Sequence, residues 1–338
     1  MFFFRRANVL SRNLTKQIEY IAEGKKIADE IAKEGYKNIF FVAVGGTIAM
    51  MMHFAEIAKE YSSVPVYTAQ AGELVLAGHK QLTKDSIVIM GSKSGDTKET
   101  VAAAKWCNER GIRVASMVID PTSPLGKESK WCIPLATFFG VEYEYLNIMG
   151  VFYGLLANQG DFPKFDTFYQ QIQDKLVDGL VNVQKNFDDR ANAIAKKYWN
   201  TDYQMWLGGG ELWGEVYLYS MCILEEMQWM RTKSVTTAEF FHGTIELVEK
   251  DVCVFLVKGV GKYRPIDDRA EAFLSKYTDE LNVIDVAEYM VPGFDKEFEA
   301  LISPIVSTAL LNGRLSKYLE HYSGHDLNTR RYYRQFEY

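Results

Sequence analysis

Unbroken runs of apolar residues alternate with segments of helical periodicity through the first part of the chain. Such runs are typical of strands buried on both faces of a sheet. The candidates are residues 38–44, 64–68, 85–90 and 112–119. Apolar positions at helical spacing occupy residues 14–34, 47–60 and 98–110. Strands that alternate with helices in this way predict a parallel sheet covered by helices on both faces.

The second half of the chain repeats this plan. Apolar runs that predict strands lie at residues 203–207, 251–256 and 281–286. A largely buried helix is predicted at residues 212–230, a short extended run ending in a loop at 236–241, and a last helix at 303–322.

The two halves share a short similar sequence, which we call the echo: residues 66–70 (Val-Tyr-Thr-Ala-Gln) resemble residues 235–239 (Val-Thr-Thr-Ala-Glu). We therefore predict two similar α/β units. The predicted domains are residues 1–160 with a leading helix, a helical connector at 161–200, and residues 201–338 with a polar tail.

Composition narrows the class of protein. At 338 residues, 48% of them hydrophobic, the chain is long enough for two ordinary domains. The net charge of −6 gives no electrostatic footprint for nucleic acid, and no apolar run approaches the roughly 20 residues of a membrane span. The four cysteines lack metal-type spacing, and the apolar residues at the start precede the basic ones, unlike a secretory signal. We expect reduced thiols in a cytoplasmic protein.

The clearest ligand signal is the segment Ser92-Lys93-Ser94-Gly95-Asp96-Thr97. It follows a predicted strand and opens a predicted helix, where free backbone N–H groups and the helix dipole favour an anion. Three clustered hydroxyls indicate a phosphate site, and a plain helix N-cap with an ordinary turn is the alternative.

Other ligand classes fit less well. The segment at 92–97 lacks the pattern of a nucleoside triphosphate loop, and Gly45-Gly46-Thr47 lacks the glycine spacing of a dinucleotide fold. His321 and His325 are four residues apart, but Gly324 interrupts the helix between them, so no metal site is predicted.

Acid/base chemistry is suggested by Glu226 on the predicted helix and by His242 on the loop that follows. A carboxylate and an imidazole can together move protons on and off a small substrate. Glu225 lies about 100° around the helix from Glu226, so only one of them easily faces a given pocket. The alternative is an exposed helix-end glutamate and a capped or core histidine.

These motifs together resemble the tandem SIS (sugar isomerase) domain proteins, and within them the fructosamine-6-phosphate deglycases. The resemblance rests on strand-Gly45-Gly46-Thr47-helix, on residues 92–100, on Glu226 with residues 238–243, and on the tail at 330–338. It implies two SIS domains, each a parallel five-stranded sheet flanked by helices, of flavodoxin-like, doubly wound type. Residue 2 is Phe rather than a nucleophilic Cys, so no glutamine amidotransferase domain is expected ahead of the sugar unit.

The resemblance also implies roles for single residues. Glu226 would be the catalytic acid/base and His242 its partner. The implied substrate-binding residues are Gly46, Thr47, Ser92, Lys93 (through its amide), Ser94 and Thr97, completed by Glu239 and Arg334. A part in proton transfer for Glu73, Glu142 or Glu239 stays open. Two residues depart from the family pattern: Thr244 stands where Pro usually follows His-Gly, and Arg334 stands where synthase relatives carry a lysine.

The implied activity is cleavage of a phosphorylated Amadori compound, such as fructoselysine 6-phosphate or glucoselysine 6-phosphate, without metal or cofactor. The products are a hexose 6-phosphate and a free amino acid. Because the histidine of related folds reaches a neighbouring subunit, a homodimer or higher homo-oligomer with a shared active site is implied. Two alternatives stay open: an aldose-ketose or aminosugar phosphate isomerase, and a non-catalytic sugar-phosphate-binding protein.

Overall fold

The chain forms two units, Met1–Asp178 and Gly179–Tyr338, in a computed structural model that describes residues 2–137 and 140–337, with side chains from residue 11 onward. The predicted domain division at residues 160 and 200 stays a prediction. Within the described ranges, no helix combines the length and apolarity needed to cross a membrane.

The sheet of the first unit has five strands. They are β1 (Asn38–Ala43), β2 (Val66–Gln70), β3 (Ser86–Gly91), β4 (Arg113–Val118) and β5 (Trp131–Pro134). Their order is β2-β1-β3-β4-β5, and every pair is parallel. Every residue of β1 and β3 is buried, which explains why their sequences read as unbroken apolar runs.

The helices of the first unit are α1 (Phe2–Glu34), α2 (Gly45–Tyr61), α3 (Ala71–Ala77), α4 (Lys98–Asn108), α5 (Pro124–Lys127), α6 (Glu142–Gln159) and α7 (Phe165–Gln171). The next helix, α8 (Val177–Tyr198), begins at the boundary and belongs mainly to the second unit. A π-helical turn, Ile172–Leu176, joins α7 to α8. The helix α6 is buried from Tyr143 to Leu156, because α1 packs closely on it: a Cβ on Gly150 would lie 2.5 Å from the carbonyl oxygen of Ile21.

The sheet of the second unit has four strands in the described residues. They are β6 (Tyr203–Gly208), β7 (Arg231–Thr236), β8 (Cys253–Lys258) and β9 (Leu281–Asp285). The order β7-β6-β8-β9 is parallel throughout and repeats that of β2-β1-β3-β4. The doubly wound α/β class is confirmed, whereas the described residues of this unit form no fifth strand. After β9 the chain makes a 3₁₀ helix, Val286–Tyr289, and the turn at Pro292-Gly293.

The helices of the second unit are α9 (Trp213–Leu218), α10 (Glu226–Gln228), α11 (Thr237–Phe240), α12 (Arg264–Tyr277), α13 (Lys296–Leu310) and α14 (Ser316–Ser323). A π-helical segment, Tyr219–Glu225, connects α9 to α10, so the predicted helical stretch at 212–230 is confirmed to Gln228.

The extended run expected at residues 236–241 is wrong. The strand lies earlier, as β7, and α11 begins at Thr237. The hydroxyl of Thr236 accepts a hydrogen bond from the backbone N–H of Glu239 at 3.1 Å, which caps the new helix. The spacing Thr-x-x-Glu is the sequence signature of such a start.

The echo between the halves is displaced by three residues for the same reason. In the first unit the side chain of Gln70 caps α3 by accepting from the N–H of Glu73 at 2.8 Å. The structural counterpart of Gln70 is Thr236 rather than Glu239. Gln70 is the last residue of β2 and Thr236 is the last residue of β7, and each of these strands pairs with the first strand of its sheet.

Candidate active site

The segment Ser92–Thr97 gathers three hydroxyls between β3 and α4. Ser92 is 4% exposed, and its Oγ lies 2.9 Å from the Oγ1 of Thr97 and 3.4 Å from the Oγ of Ser94. Ser92 Oγ also accepts a hydrogen bond from the backbone N–H of Gly95 at 3.0 Å. The predicted phosphate-binding hydroxyls are therefore brought together, and we call this segment the hydroxyl loop.

The backbone of the hydroxyl loop needs a glycine. Gly95 has a φ of +70°, and a Cβ there would lie 2.1 Å from the Oγ of Ser123. Thr97 holds the N-cap position of α4 without a capping bond from its side chain, because its hydroxyl meets Ser92 instead. The start of α4 thus keeps the features that attract an anion.

A buried carboxylate, Glu144, lies beside this loop. Its side chain is 4% exposed, and its Oε1 is 2.7 Å from the Nζ of Lys93. Its Oε2 accepts a hydrogen bond from the Oγ1 of Thr47 at 3.1 Å. Lys93 Nζ also donates to the carbonyl oxygen of Gly140 at 3.3 Å. Two of the predicted site residues, Lys93 and Thr47, are therefore joined through Glu144.

The first turn of α6 carries a second acid. Burial raises the pKa of Glu142 to about 7, the neighbouring charge of Glu144 adds to the rise, and that of Lys93 opposes it. Glu73, another candidate for proton transfer, is exposed in the first turn of α3. Gly46 lies half-buried next to Thr47 in the first turn of α2.

Glu226 lies at a pocket of the second unit. The Nε of Arg330 donates to the Oε1 of Glu226 at 2.6 Å, with 29% of the Glu226 side chain exposed. The pocket measures about 830 Å³, and Trp199, Trp229, Arg331 and Tyr332 are among its lining residues. The guanidinium of Arg331 stands 4.2 Å from the ring centroid of Trp229, whose φ of +57° turns the chain out of α10.

The two adjacent glutamates have different partners, as their angular separation predicts. Glu226 binds Arg330, whereas the carboxylate of Glu225 accepts a short hydrogen bond from the hydroxyl of Thr232. Arg334 is exposed, and its guanidinium lies 5.7 Å from the ring centroid of Tyr333. In the tail it is Arg330, which the sequence did not single out, that reaches Glu226. Tyr338, part of the predicted tail motif, lies outside the described residues.

His242 and Glu226 are at opposite ends of β7 in the chain. Glu226 precedes this strand and His242 follows it, and a strand of six residues is about 20 Å long. His242 is exposed after α11, and its backbone N–H donates to the carbonyl oxygen of Glu239 at 2.9 Å. Glu239 and Thr244 lie in this same region, Glu239 exposed and Thr244 half-buried at the start of a 3₁₀ turn.

In the second unit, the loop that corresponds to the hydroxyl loop is occupied by a side chain of the same unit, that of Glu211. Glu211 in the second unit corresponds to Gly46 in the first. Each of these residues directly follows a glycine with positive φ after the central strand. These glycines are Gly210, with a φ of +52°, and Gly45, with a φ of +56°. The Oε1 of Glu211 accepts hydrogen bonds from the N–H groups of Val260 at 3.0 Å and Gly261 at 2.6 Å, in the loop after β8. Burial raises the pKa of this carboxyl.

Among the described residues, no group of three or more His, Cys, Asp or Glu side chains is placed to hold a metal ion. The polar groups of both units are instead hydroxyls, carboxylates and cations suited to a small polar ligand.

Comparison with known proteins adds to this geometry. The family model described as the SIS domain matches residues 31–137, the stretch that contains β1 to β5. A Bacillus subtilis chain of known structure, provisionally described as a phosphosugar isomerase, is 26% identical to this chain. The two superpose with a TM-score of 0.90, over 96% of this chain and 99% of that one.

Two curated relatives match most of the chain. Fructosamine deglycase FrlB of Bacillus subtilis is 29% identical over 89% of this chain and 92% of the relative. Fructoselysine 6-phosphate deglycase of Escherichia coli K12 is 22% identical over 96% of this chain and 95% of the relative. The C-terminal domain of glucosamine-fructose-6-phosphate aminotransferase from Francisella tularensis shares the fold, with a TM-score of 0.81 at 16% identity over 96% of this chain and 97% of that one.

Two side chains, Glu144 and Arg330, were not predicted as site residues from the sequence. A sequence signal exists for Glu144, because an acid on a helix whose other positions are nearly all apolar needs a buried partner. Arg330 carries no such signal, since its partner Glu226 is 104 residues away in the chain.

Proposed function

We propose that the protein cleaves a 6-phosphorylated fructosamine, such as fructoselysine 6-phosphate or glucoselysine 6-phosphate, to a hexose 6-phosphate and a free amino acid. The observation that carries the proposal is the hydroxyl loop, where Ser92, Ser94 and Thr97 converge beside the start of α4. The two curated deglycases that match most of the chain favour this reaction over others of sugar phosphates.

In this proposal the hydroxyl loop holds the phosphate. Hydroxyls and backbone N–H groups at a helix start bind a phosphate without a fork of cationic side chains. Gly46 and Thr47, one strand away in the sheet, line the sugar.

Glu226 is the proposed acid/base. In an Amadori compound the C2 carbonyl lies beside the C1 carbon that carries the amine. Removal of a C1 proton and protonation of the C2 oxygen give an enaminol, and protonation at C2 then gives a C1 imine. Water hydrolyses the imine to the aldehyde of the hexose 6-phosphate and the free amine. Arg330 fixes the orientation of the Glu226 carboxylate at the pocket.

His242 opens the sugar ring or protonates an oxygen in this scheme. Because β7 separates it from Glu226 in the same chain, the proposal needs His242 from a second copy. A homodimer or higher homo-oligomer with a shared site is therefore part of the proposed function.

The test is product analysis of the purified protein with fructoselysine 6-phosphate, following glucose 6-phosphate and lysine together. Equal amounts of the two products are expected. Glu226→Gln should lower kcat by about 100-fold or more with little change in KM, since it removes proton transfer but keeps the shape. Glu225→Gln is the matched control and should keep turnover within about threefold, because Thr232 already holds that carboxylate.

Other outcomes would favour the alternatives. Interconversion of sugar phosphates without release of amine would support an isomerase, the description given to the Bacillus subtilis structure. Binding without turnover, unaffected by Glu226→Gln, would support a sugar-phosphate-binding protein.

A further inference from the structure

The ion pair between Lys93 and Glu144 is unusual because it engages a lysine of the hydroxyl loop, the proposed phosphate site. Lys93 belongs to the hydroxyl loop itself, and its side chain is 21% exposed. A lysine in such a loop normally acts as a mobile point charge on the phosphate. Here its ammonium is held by Glu144 at 2.7 Å and by the carbonyl oxygen of Gly140 at 3.3 Å.

The carboxylate that holds Lys93 is itself firmly placed. Glu144 lies on α6, which is buried on nearly all sides, and its second oxygen accepts from Thr47. Breaking a buried ion pair leaves an uncompensated charge, which is costly. We therefore expect Lys93 to stay paired with Glu144 when a phosphate binds, rather than to pair with the phosphate.

We propose that Glu144 is a positioning residue that keeps the charge of Lys93 away from the bound phosphate and thereby sets the affinity of the site for phosphorylated ligands. The inference rests on the proposed phosphate role of the hydroxyl loop. Neutral hydroxyls and backbone amides then bind the phosphate. The phosphorylated product dissociates more readily than it would from a site in which the charge of Lys93 had no carboxylate partner.

The neutral variant Glu144→Gln tests this. Its amide can still accept from Thr47, but it no longer balances Lys93. We expect the Kd for glucose 6-phosphate, measured by titration calorimetry, to fall about three- to tenfold, because one positive charge is released near a dianion. The Kd should also rise more steeply with salt, whereas glucose should bind equally to both proteins.

The double variant Lys93→Met with Glu144→Gln separates charge from packing. Our proposal expects its Kd to return to within about twofold of the wild-type value, since the balanced pair is replaced by a neutral one. Should Glu144→Gln fail to fold, this variant decides alone, because replacing both partners of a buried pair is tolerated better than replacing one.

Three results would count against the inference. An unchanged or higher Kd in folded Glu144→Gln would show that Glu144 does not set the affinity by restraining Lys93. A double variant that binds clearly more weakly than wild type would show that Lys93 already contributes to phosphate binding. Absence of glucose 6-phosphate binding to the wild-type protein would instead overturn the phosphate role of the hydroxyl loop, and this inference with it.

Discussion

Glu142 is a half-buried acid whose protonation affects stability. Burial raises its pKa to about 7, above the value it has in the unfolded chain. The folded protein therefore binds this proton more tightly than the unfolded chain does. The stabilisation is fully present below the unfolded pKa and is lost as the pH rises through about 7.

We therefore expect the first unit to lose about 1–2 kcal/mol of stability between pH 5.5 and pH 8 because of this group. In Glu142→Gln, which cannot ionise, that loss should disappear. Urea unfolding at the two pH values measures it, with substitution of the exposed Glu109 by Gln as the control. An equal pH dependence in wild type and Glu142→Gln would contradict the expectation.

Single side chains were predicted unevenly from the sequence. Ser92, Ser94 and Thr97 were found because they follow one another between a strand and a helix, so local pattern alone places them together. The partners Glu144 and Arg330 were not found, since each meets its site residue across about a hundred residues of chain. Only the folded sheet brings such pairs together.

At the scale of elements, the turn between β3 and α4 is the part that a substitution should damage most. Gly95→Ala meets both an unfavourable φ and the hydroxyl of Ser123. Gly111 has a similar φ of +68° with nothing within 4 Å of an added Cβ, so Gly111→Ala isolates the conformational cost of about 1 kcal/mol. We expect Gly95→Ala to lose clearly more stability, and also to lose phosphate binding.

Denaturant unfolding and glucose 6-phosphate titration of the two alanine variants measure these effects. Equal stability losses in Gly95→Ala and Gly111→Ala, with ligand binding retained in both, would mean that the hydroxyl loop tolerates a shift of Ser123.

The strands that form the centre of each sheet were predicted within a few residues, because burial on both faces requires continuous apolar sequence. The strand β7 was not, since it flanks the sheet, is only partly buried and reads Arg-Thr-Lys-Ser-Val-Thr. Because its sequence is mostly polar, no apolar run predicts this strand. The apolar residues that follow belong to the capped helix α11. The fifth strand of the second unit was expected only from the family resemblance, since no apolar run in the sequence had predicted it.

At the scale of the whole molecule, the separation of Glu226 and His242 along β7 makes a sharp prediction about assembly. If each site takes its glutamate from one copy and its histidine from another, inactive variants should complement each other. Glu226→Gln mixed with His242→Ala, after unfolding and refolding together, should recover about 25% of wild-type turnover for a symmetric dimer with two sites.

Refolding each variant alone provides the control, and light scattering gives the number of copies. A mixture that stays as inactive as its components, in a confirmed oligomer, would mean that both residues act within one chain. Full activity of His242→Ala on its own would mean that His242 is not required.

Glu211 gives the second unit a tethered ligand. Its carboxylate is covalently part of the chain, so its effective concentration at the N–H groups of Val260 and Gly261 does not depend on what the surroundings supply. The counterpart position in the first unit is Gly46, which leaves its loop to a diffusible anion. Under the proposed function, one half is permanently occupied by its own carboxylate, and we expect the stability of the other half to rise with the supply of sugar phosphate.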